Sequence, residues 1–411
     1  MNIYATIILG TIVLDFVLSQ VADALNLKNM STLLPDEFKG FYDDDKYKKS
    51  QEYTRVKTRF GFITGLVDII ILLLFWFTGG FNWLDNLVRG FDLPVILTGL
   101  LYMATLVFAK SIISLPFSIY ATFVIEERFG FNKTTVKTFI LDRVKGLILG
   151  ILIGGPLMAA VLAIFLHLGS AAWLVGWGVV TIISLFITYI APTWIMPLFN
   201  KFEPLEDGAL KESILDYAKS VNYSLAGIFK MDGSKRSAKS NAFFTGFGKN
   251  KRIALFDTLI EQHTVKEMVA VLAHEIGHYK KKHIIIGLIT GIIHTGLMFF
   301  LLSIFISHRG LFDAFYMDNI SIYAGFIFFG MLYSPIELLL SIGSHLLSRR
   351  NEYQADRYAC DTTGDRESMI LALKKLSVHN LSNLTPHPFY VFLSYSHPPV
   401  LQRIAAMRGL E

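Results

Sequence analysis

Apolar runs long enough to cross a hydrocarbon core of about 30 Å recur seven times in this chain, at roughly 3–25, 61–84, 94–124, 145–167, 172–195, 284–306 and 321–346. Each predicts a transmembrane helix, so the chain is expected to be a mainly α, polytopic membrane protein. Composition agrees. Of 411 residues, 53% are hydrophobic and only 17% are charged, against about 25% charged in soluble domains. Length alone would permit two or three soluble domains, but the hydropathy overrides it. The N-terminal run lacks a basic lead and a small-residue cleavage site and reads as a retained first span.

Charge in the loops predicts orientation. Residues 26–60 and 125–145 are rich in Lys and Arg, whereas 85–93 and 307–320 hold one Arg each (Arg89, Arg309) and 168–171 none. By the positive-inside rule the N-terminus lies outside, and the C-terminus and segment 198–283 lie on the cytoplasmic side. The formal net charge of +5 is thus better explained by cytoplasmic loops than by a nucleic-acid site. Asp15, Asp68, Lys110, His294 and Glu337 fall within the apolar runs. Unpaired in lipid they are costly, so they should face a bundle interior or water, or sit near helix ends. The glycines at 146, 150 and 154 suggest close helix approach.

Four regions follow from this pass: 1–197, five spans and their loops; 198–283, a cytoplasmic part; 284–346, two further spans; and 347–411, a second, mostly helical cytoplasmic part. In the first polar segment, an amphipathic helix after Pro204 is followed by two β-rich runs, Ser240–Phe244 and Arg252–Phe256, which read as a hairpin.

The chemistry begins at His274-Glu275-Ile276-Gly277-His278. On a helix, imidazoles four residues apart project from one face and can occupy two corners of a zinc tetrahedron. Glu275 is angularly offset and can act as general base on a water, and the small Gly277 leaves room beside the metal. A catalytic zinc needs a third protein ligand and one open position. The best candidate is Glu352, with Asp356 one helical turn later to orient an imidazole; a solvated acidic helix is the bland alternative. His397, between Ser396 and two prolines that stiffen the backbone, could donate to an oxyanion or serve an ordinary loop role, and Arg403 could pair with Asp356. The run containing Asn241 and Phe243 could be an edge strand that holds a peptide, or a plain structural hairpin. The single cysteine, Cys360, excludes an internal disulfide and a cysteine-based zinc finger.

Several blocks together resemble the integral-membrane zinc CAAX prenyl proteases, a family of gluzincin metallopeptidases: His274–His278, "RRNEYQAD" from Arg349, "SHPPVLQR" from Ser396, "EERFGFNKTTVKTFILDRVKG" from Glu126, "PLFNKFEPL" from Pro197 and "DGSKRSAKSNAFFTGFGKNKRIALFDTLI" from Asp232. The resemblance implies seven helices forming a barrel around a water-filled intramembrane chamber, capped by a zincin-type domain with a small β-sheet. It implies one Zn2+ per chain, held by His274, His278 and Glu352 with Glu275 as general base. It also implies Asp356 behind the ligands, His397 and Arg403 near the reacting carbonyl, and substrate held at Asn241, with Phe243 beside it. The implied substrates are prenylated CAAX proteins or peptides, which lose their last three residues and in some members are cut a second time upstream. The implied setting is the endoplasmic reticulum membrane in a eukaryote and the plasma membrane in a bacterium. Two competing readings are a membrane quality-control zinc protease and a transporter or translocation factor built around structural zinc. A structural site would be closed by four protein ligands, and only three are nominated here.

Overall fold

The computed structural model describes residues 1–245 and 252–409, with backbone alone at 244 and 245. Seven helices have the length and apolarity to cross a membrane. They are α1 (Ile3–Asn29), α2 (Asp44–Phe77), α4 (Val95–Tyr120), the pair α5 (Val136–Leu149) and α6 (Gly155–His167), α7 (Ala172–Ile190), α11 (His283–Phe305) and α13 (Ile322–Thr363). The expected second run to residue 84 is divided. Gly79, at φ +75°, breaks the chain after α2 and starts a short helix α3 (Gly80–Arg89); positive φ is cheap only for glycine. Three spans contain wide π-helical turns, at Ala121–Glu126, Gly150–Gly154 and Ala191–Ile195. The expected close approach at Gly146, Gly150 and Gly154 is not found, because a Cβ built at any of them meets nothing within 4 Å. Gly150 and Gly154 instead bound the π turn that joins α5 to α6.

Neighbouring spans close a ring. α1 packs on α2, α4 on α6, α6 on α7, α7 on α11, α11 on α13, and α13 back on α1. The α2–α4 join is made by Phe60 against Phe117 and Tyr120 and by an Asp68–Lys110 ion pair. One end of the ring is plugged by a core around Trp76, Phe81, Tyr102, Leu162, Phe315, Tyr323 and Phe328. In the apolar 18-residue window of each span, only 6–22% of the residues are buried. Helices in a solid bundle would bury their inward stripe. The half-exposed Asp68 and Lys110, and Glu337 facing His294 at 3.0 Å, cannot be solvated by lipid. Such groups are placed at lowest cost toward the inside of the ring, where the seven spans enclose a chamber.

The other end carries a second core and a four-stranded sheet in the order β1 (Phe202–Pro204), β2 (Gly227–Met231), β4 (Arg252–Phe256) and β3 (Ala242–Thr245). β2 and β4 run parallel and the other two pairs antiparallel. The expected hairpin strands do pair, Ala242 opposite Leu255 through Thr245 opposite Arg252, although β3 starts two residues later than predicted. Their connecting turn lies outside the described residues. β3 ends the sheet, leaving its outer edge unpaired by any described strand. The amphipathic helix is α8 (Ala209–Ser220). It is followed after the sheet by α9 (Asp257–Gln262) and α10 (Val265–Lys280), and the chain ends in α14 (Arg366–His379), α15 (Pro388–Ser394) and α16 (Val400–Arg408). α13 does not stop where its apolar run ends. It continues unbroken for 42 residues, carrying a membrane span directly into this second core.

Candidate metal centre

The site is built where α10 crosses α13. α10 starts at a capping box, in which the Thr264 side chain accepts from the Glu267 amide while the Glu267 carboxylate accepts from the Thr264 amide. Nine residues on, His274 and His278 share a face. α13 survives an internal Pro335 because the Met331 carbonyl, left without a helical donor, accepts from the Ser334 hydroxyl at 2.8 Å. It ends at Gly364, at φ +64°. The two helices touch backbone to side: a Cβ at Gly277 would stand 3.1 Å from Ala355 Cα and 3.2 Å from its carbonyl oxygen. The small residue expected to make space for a metal makes space for α13 instead. That close approach is what brings Glu352 to the histidines.

Three donor groups converge. His274 Nε2 lies 3.2 Å from His278 Nε2 and 3.4 Å from Glu352 Oε2, and His278 Nε2 lies 3.2 Å from Glu352 Oε1. Bonds of about 2.0–2.1 Å to a tetrahedral ion put neighbouring ligand atoms about 3.3–3.4 Å apart, so the spacing fits such an ion. Charge fits as well. Glu352 and Asp356 are both buried, with Arg403 as the buried cation beside them, so one negative charge is uncompensated. Burial pushes the His274 imidazolium down, but hydrogen bonds to Asp356 and Glu352 outweigh it and hold the ring up at about 9.

Each imidazole has its far nitrogen tied. His274 Nδ1 is 2.8 Å from Asp356 Oδ1, and Arg403 grips that carboxylate through Nε at 2.7 Å and Nη2 at 2.5 Å. The predicted Asp356–Arg403 pairing is therefore present. For His278 the tie was not foreseen: Nδ1 is 3.0 Å from His283 Nδ1, and His283 Nε2 is 3.0 Å from Gln354 Oε1. If His278 ligates through Nε2, its Nδ1–H donates to His283, whose Nε2–H donates to Gln354; every proton is accounted for. A histidine five residues after His278 and a glutamine two after Glu352 are the signal that sequence reading passed over.

Glu275, beside the donors, is half-buried. Burial pushes its carboxyl up, with the charges of His274 and His278 pulling against it, an environment suited to a group that must take and return a proton. His397 is 65% exposed, with Nε2 3.5 Å from Glu352 Oε1 and Nδ1 2.9 Å from the Ser396 hydroxyl. Its loop is aimed by Arg349, which donates to the Val391 and Tyr395 carbonyls, and by His345 on Leu393 O at 3.0 Å. Asn241 and Phe243 are not joined to the three donors by any hydrogen bond or ring contact among the described residues. Asn241 is exposed and accepts from the Ala242 amide, while Phe243 packs edge-on to Phe256.

Comparison with known proteins agrees with this architecture. Residues 23–201 match the family described as CAAX prenyl protease N-terminal, five membrane helices, and residues 204–411 match peptidase family M48. The chain is 38% identical to the CAAX prenyl protease 1 homolog of Arabidopsis thaliana, covering 94% of this chain and 93% of that one. It is 35% identical to CAAX prenyl protease 1 of Saccharomyces cerevisiae, covering 92% and 89%. The crystal structure of S. mikatae Ste24p superposes with a TM-score of 0.91 at 34% identity, covering 99% of each chain. A closed ring of seven spans, a two-histidine, one-glutamate site and these matches over nearly the whole length lead to one conclusion: the chain belongs to peptidase family M48, among its CAAX prenyl proteases, and is a multi-pass membrane metalloendopeptidase.

Proposed function

We propose that this chain uses zinc to remove the C-terminal tripeptide from CAAX proteins whose cysteine carries a prenyl group. The observation that carries the reading is the trio of donor groups, 3.2–3.4 Å apart at their nearest atoms, with Glu275 beside them, at the capped end of a ring of spans. His274, His278 and Glu352 hold one ion per chain. Zinc, when bound, supplies Lewis acidity at a fourth, open position. Glu275 takes the proton of the attacking water and returns it to the amine nitrogen as the peptide C–N bond breaks. His397 donates a hydrogen bond to the developing oxyanion. Asp356 and Arg403 keep the His274 ring in its ligating orientation. The peptide lies along the free edge at Asn241 and Phe243.

Relatives named CAAX prenyl protease 1 support the substrate class, and the bilayer is the second partner. The basic loops support an external N-terminus and a cytoplasmic site and C-terminus, in the endoplasmic reticulum membrane of a eukaryote or the plasma membrane of a bacterium. In this reading 198–283 and 347–411 form one cytoplasmic unit, fed by the spans in 1–197 and 284–346.

The test is zinc content together with mass spectrometry of a farnesylated CAAX peptide and its unprenylated twin. The farnesylated peptide loses three residues and the twin is spared. Equal cleavage of both would favour a quality-control protease, and cleavage of neither by zinc-loaded protein would refute the proposal. Glu275→Gln keeps its zinc and loses at least about 10²-fold in rate; substantial residual cleavage would remove Glu275 from the mechanism.

A further inference from the structure

Immediately before the edge strand, Lys239 is enclosed by residues of the membrane spans. Its Nζ donates to Tyr53 Oη at 2.6 Å and to Glu126 Oε2 at 3.0 Å, while Tyr53 Oη donates to Glu126 Oε1 at 2.5 Å. The ammonium also stands 4.4 Å from the Phe131 ring centre and 5.0 Å from that of Tyr53. Tyr53 belongs to α2, and Glu126 is the last residue of the π turn that ends α4. A cation between two aromatic faces and a carboxylate, with Lys239, Tyr53 and Glu126 each hydrogen-bonded to the other two, is held more firmly than an exposed ion pair.

The neighbouring backbone is tied in the same direction. Arg236 makes two bonds to Asp142 of α5, at 2.7 and 2.8 Å, and the Ala238 amide donates to the Phe131 carbonyl at 3.0 Å. On the far side, Ser240 is held by the Asn380 amide and by Gln262. The start of β3 is thus suspended between the spans and the ends of α9 and α14, and among the described residues only one strand pairing, to β4, holds the strand itself.

We infer that Lys239, through Glu126 and Tyr53, is a positioning residue for substrate: it sets where the edge at Asn241–Phe243 lies, and so links α2 and α4 to peptide binding. The inference rests on the reading that a peptide adds along that edge. A strand that adds by main-chain hydrogen bonds must match its partner's position, and a displacement of about 1 Å is enough to weaken such pairing. Lys239 touches none of the metal donors, so its loss should fall on binding rather than on chemistry.

The test uses the full-length, zinc-loaded protein. Lys239→Met is expected to raise KM for the farnesylated peptide about five- to tenfold while kcat stays within about twofold and zinc content is unchanged. It should also hasten amide hydrogen exchange over residues 240–243 but not over α10, and Lys239→Arg should restore both readouts. With an active parent enzyme, an unchanged KM, or a loss confined to kcat or zinc content, overturns the inference. If Lys239→Met does not accumulate as folded protein, Tyr53→Phe keeps the ion pair and should raise KM about twofold with faster exchange over the same residues; no change in either readout overturns the inference. Should the parent cleave no peptide at all, faster exchange at 240–243 in Lys239→Met still supports the clamp and unchanged exchange overturns it, so its failure is distinguishable from failure of the peptidase reading.

Discussion

A histidine that ligates through one nitrogen needs a partner at the other, and this site supplies two different ones. His274 leans on a carboxylate, whereas His278 leans on the neutral chain His283–Gln354. The neutral chain holds the ring without adding charge to a site that already has two buried carboxylates. Removing it should cost affinity rather than fold: His283→Ala is expected to weaken zinc binding about 10- to 100-fold, measured by chelator competition. Unchanged affinity would mean that His278 is oriented by something else. The pairing of His274 with His278 was legible from residue type and spacing, because one helical face is a local property, whereas the approach of Glu352 depends on the crossing of two helices. His283 and Gln354 were not, since their roles depend on a contact between helices 71 positions apart.

At the scale of elements, the α10–α13 crossing decides whether a site exists. It is governed by the missing side chain at Gly277, where a methyl would press on the Ala355 backbone at 3.1–3.2 Å and the two helices would have to part by a few tenths of an ångström. Gly277→Ala is therefore expected to cost about 1–3 kcal/mol and to reduce zinc affinity as Glu352 is carried away from the histidines. Thermal unfolding with metal titration checks both effects, and a variant with wild-type affinity would show that the crossing has slack. The continuity of α13 has a related consequence. The candidate ligand Glu352 and Glu337 ride on one helix, so the candidate metal centre is positioned by a membrane span rather than by a tethered domain. The apolar run stops near residue 346, which is why a boundary was expected where the helix has none.

Over the whole molecule, a hollow ring with one end plugged and the other capped by the metal centre suits a substrate with two opposed solubilities. A single lipid chain holds a peptide to a membrane only reversibly. In the proposed reading an internal aqueous space meets the polar part while the greasy part stays near lipid. The chamber makes its own prediction. Glu337→Cys in a Cys360→Ser background is expected to react with a water-soluble maleimide in sealed vesicles, since Glu337 is half-exposed and a carboxylate at that depth belongs in water rather than lipid; an unlabelled cysteine would argue that the interior is dry.

Span number, loop charge and the H-E-x-x-H face were set by the amino-acid order alone, because bilayer thickness and helical pitch are fixed lengths against which a local pattern can be read. The hairpin pairing followed from two β-rich runs close together in the chain, which is again a local pattern. Where α13 ends, which glycine admits a neighbouring backbone, what holds His278 and what suspends the edge strand were decided only on folding. Each of these depends on distances between segments far apart in the chain, and no local period encodes how two surfaces will fit.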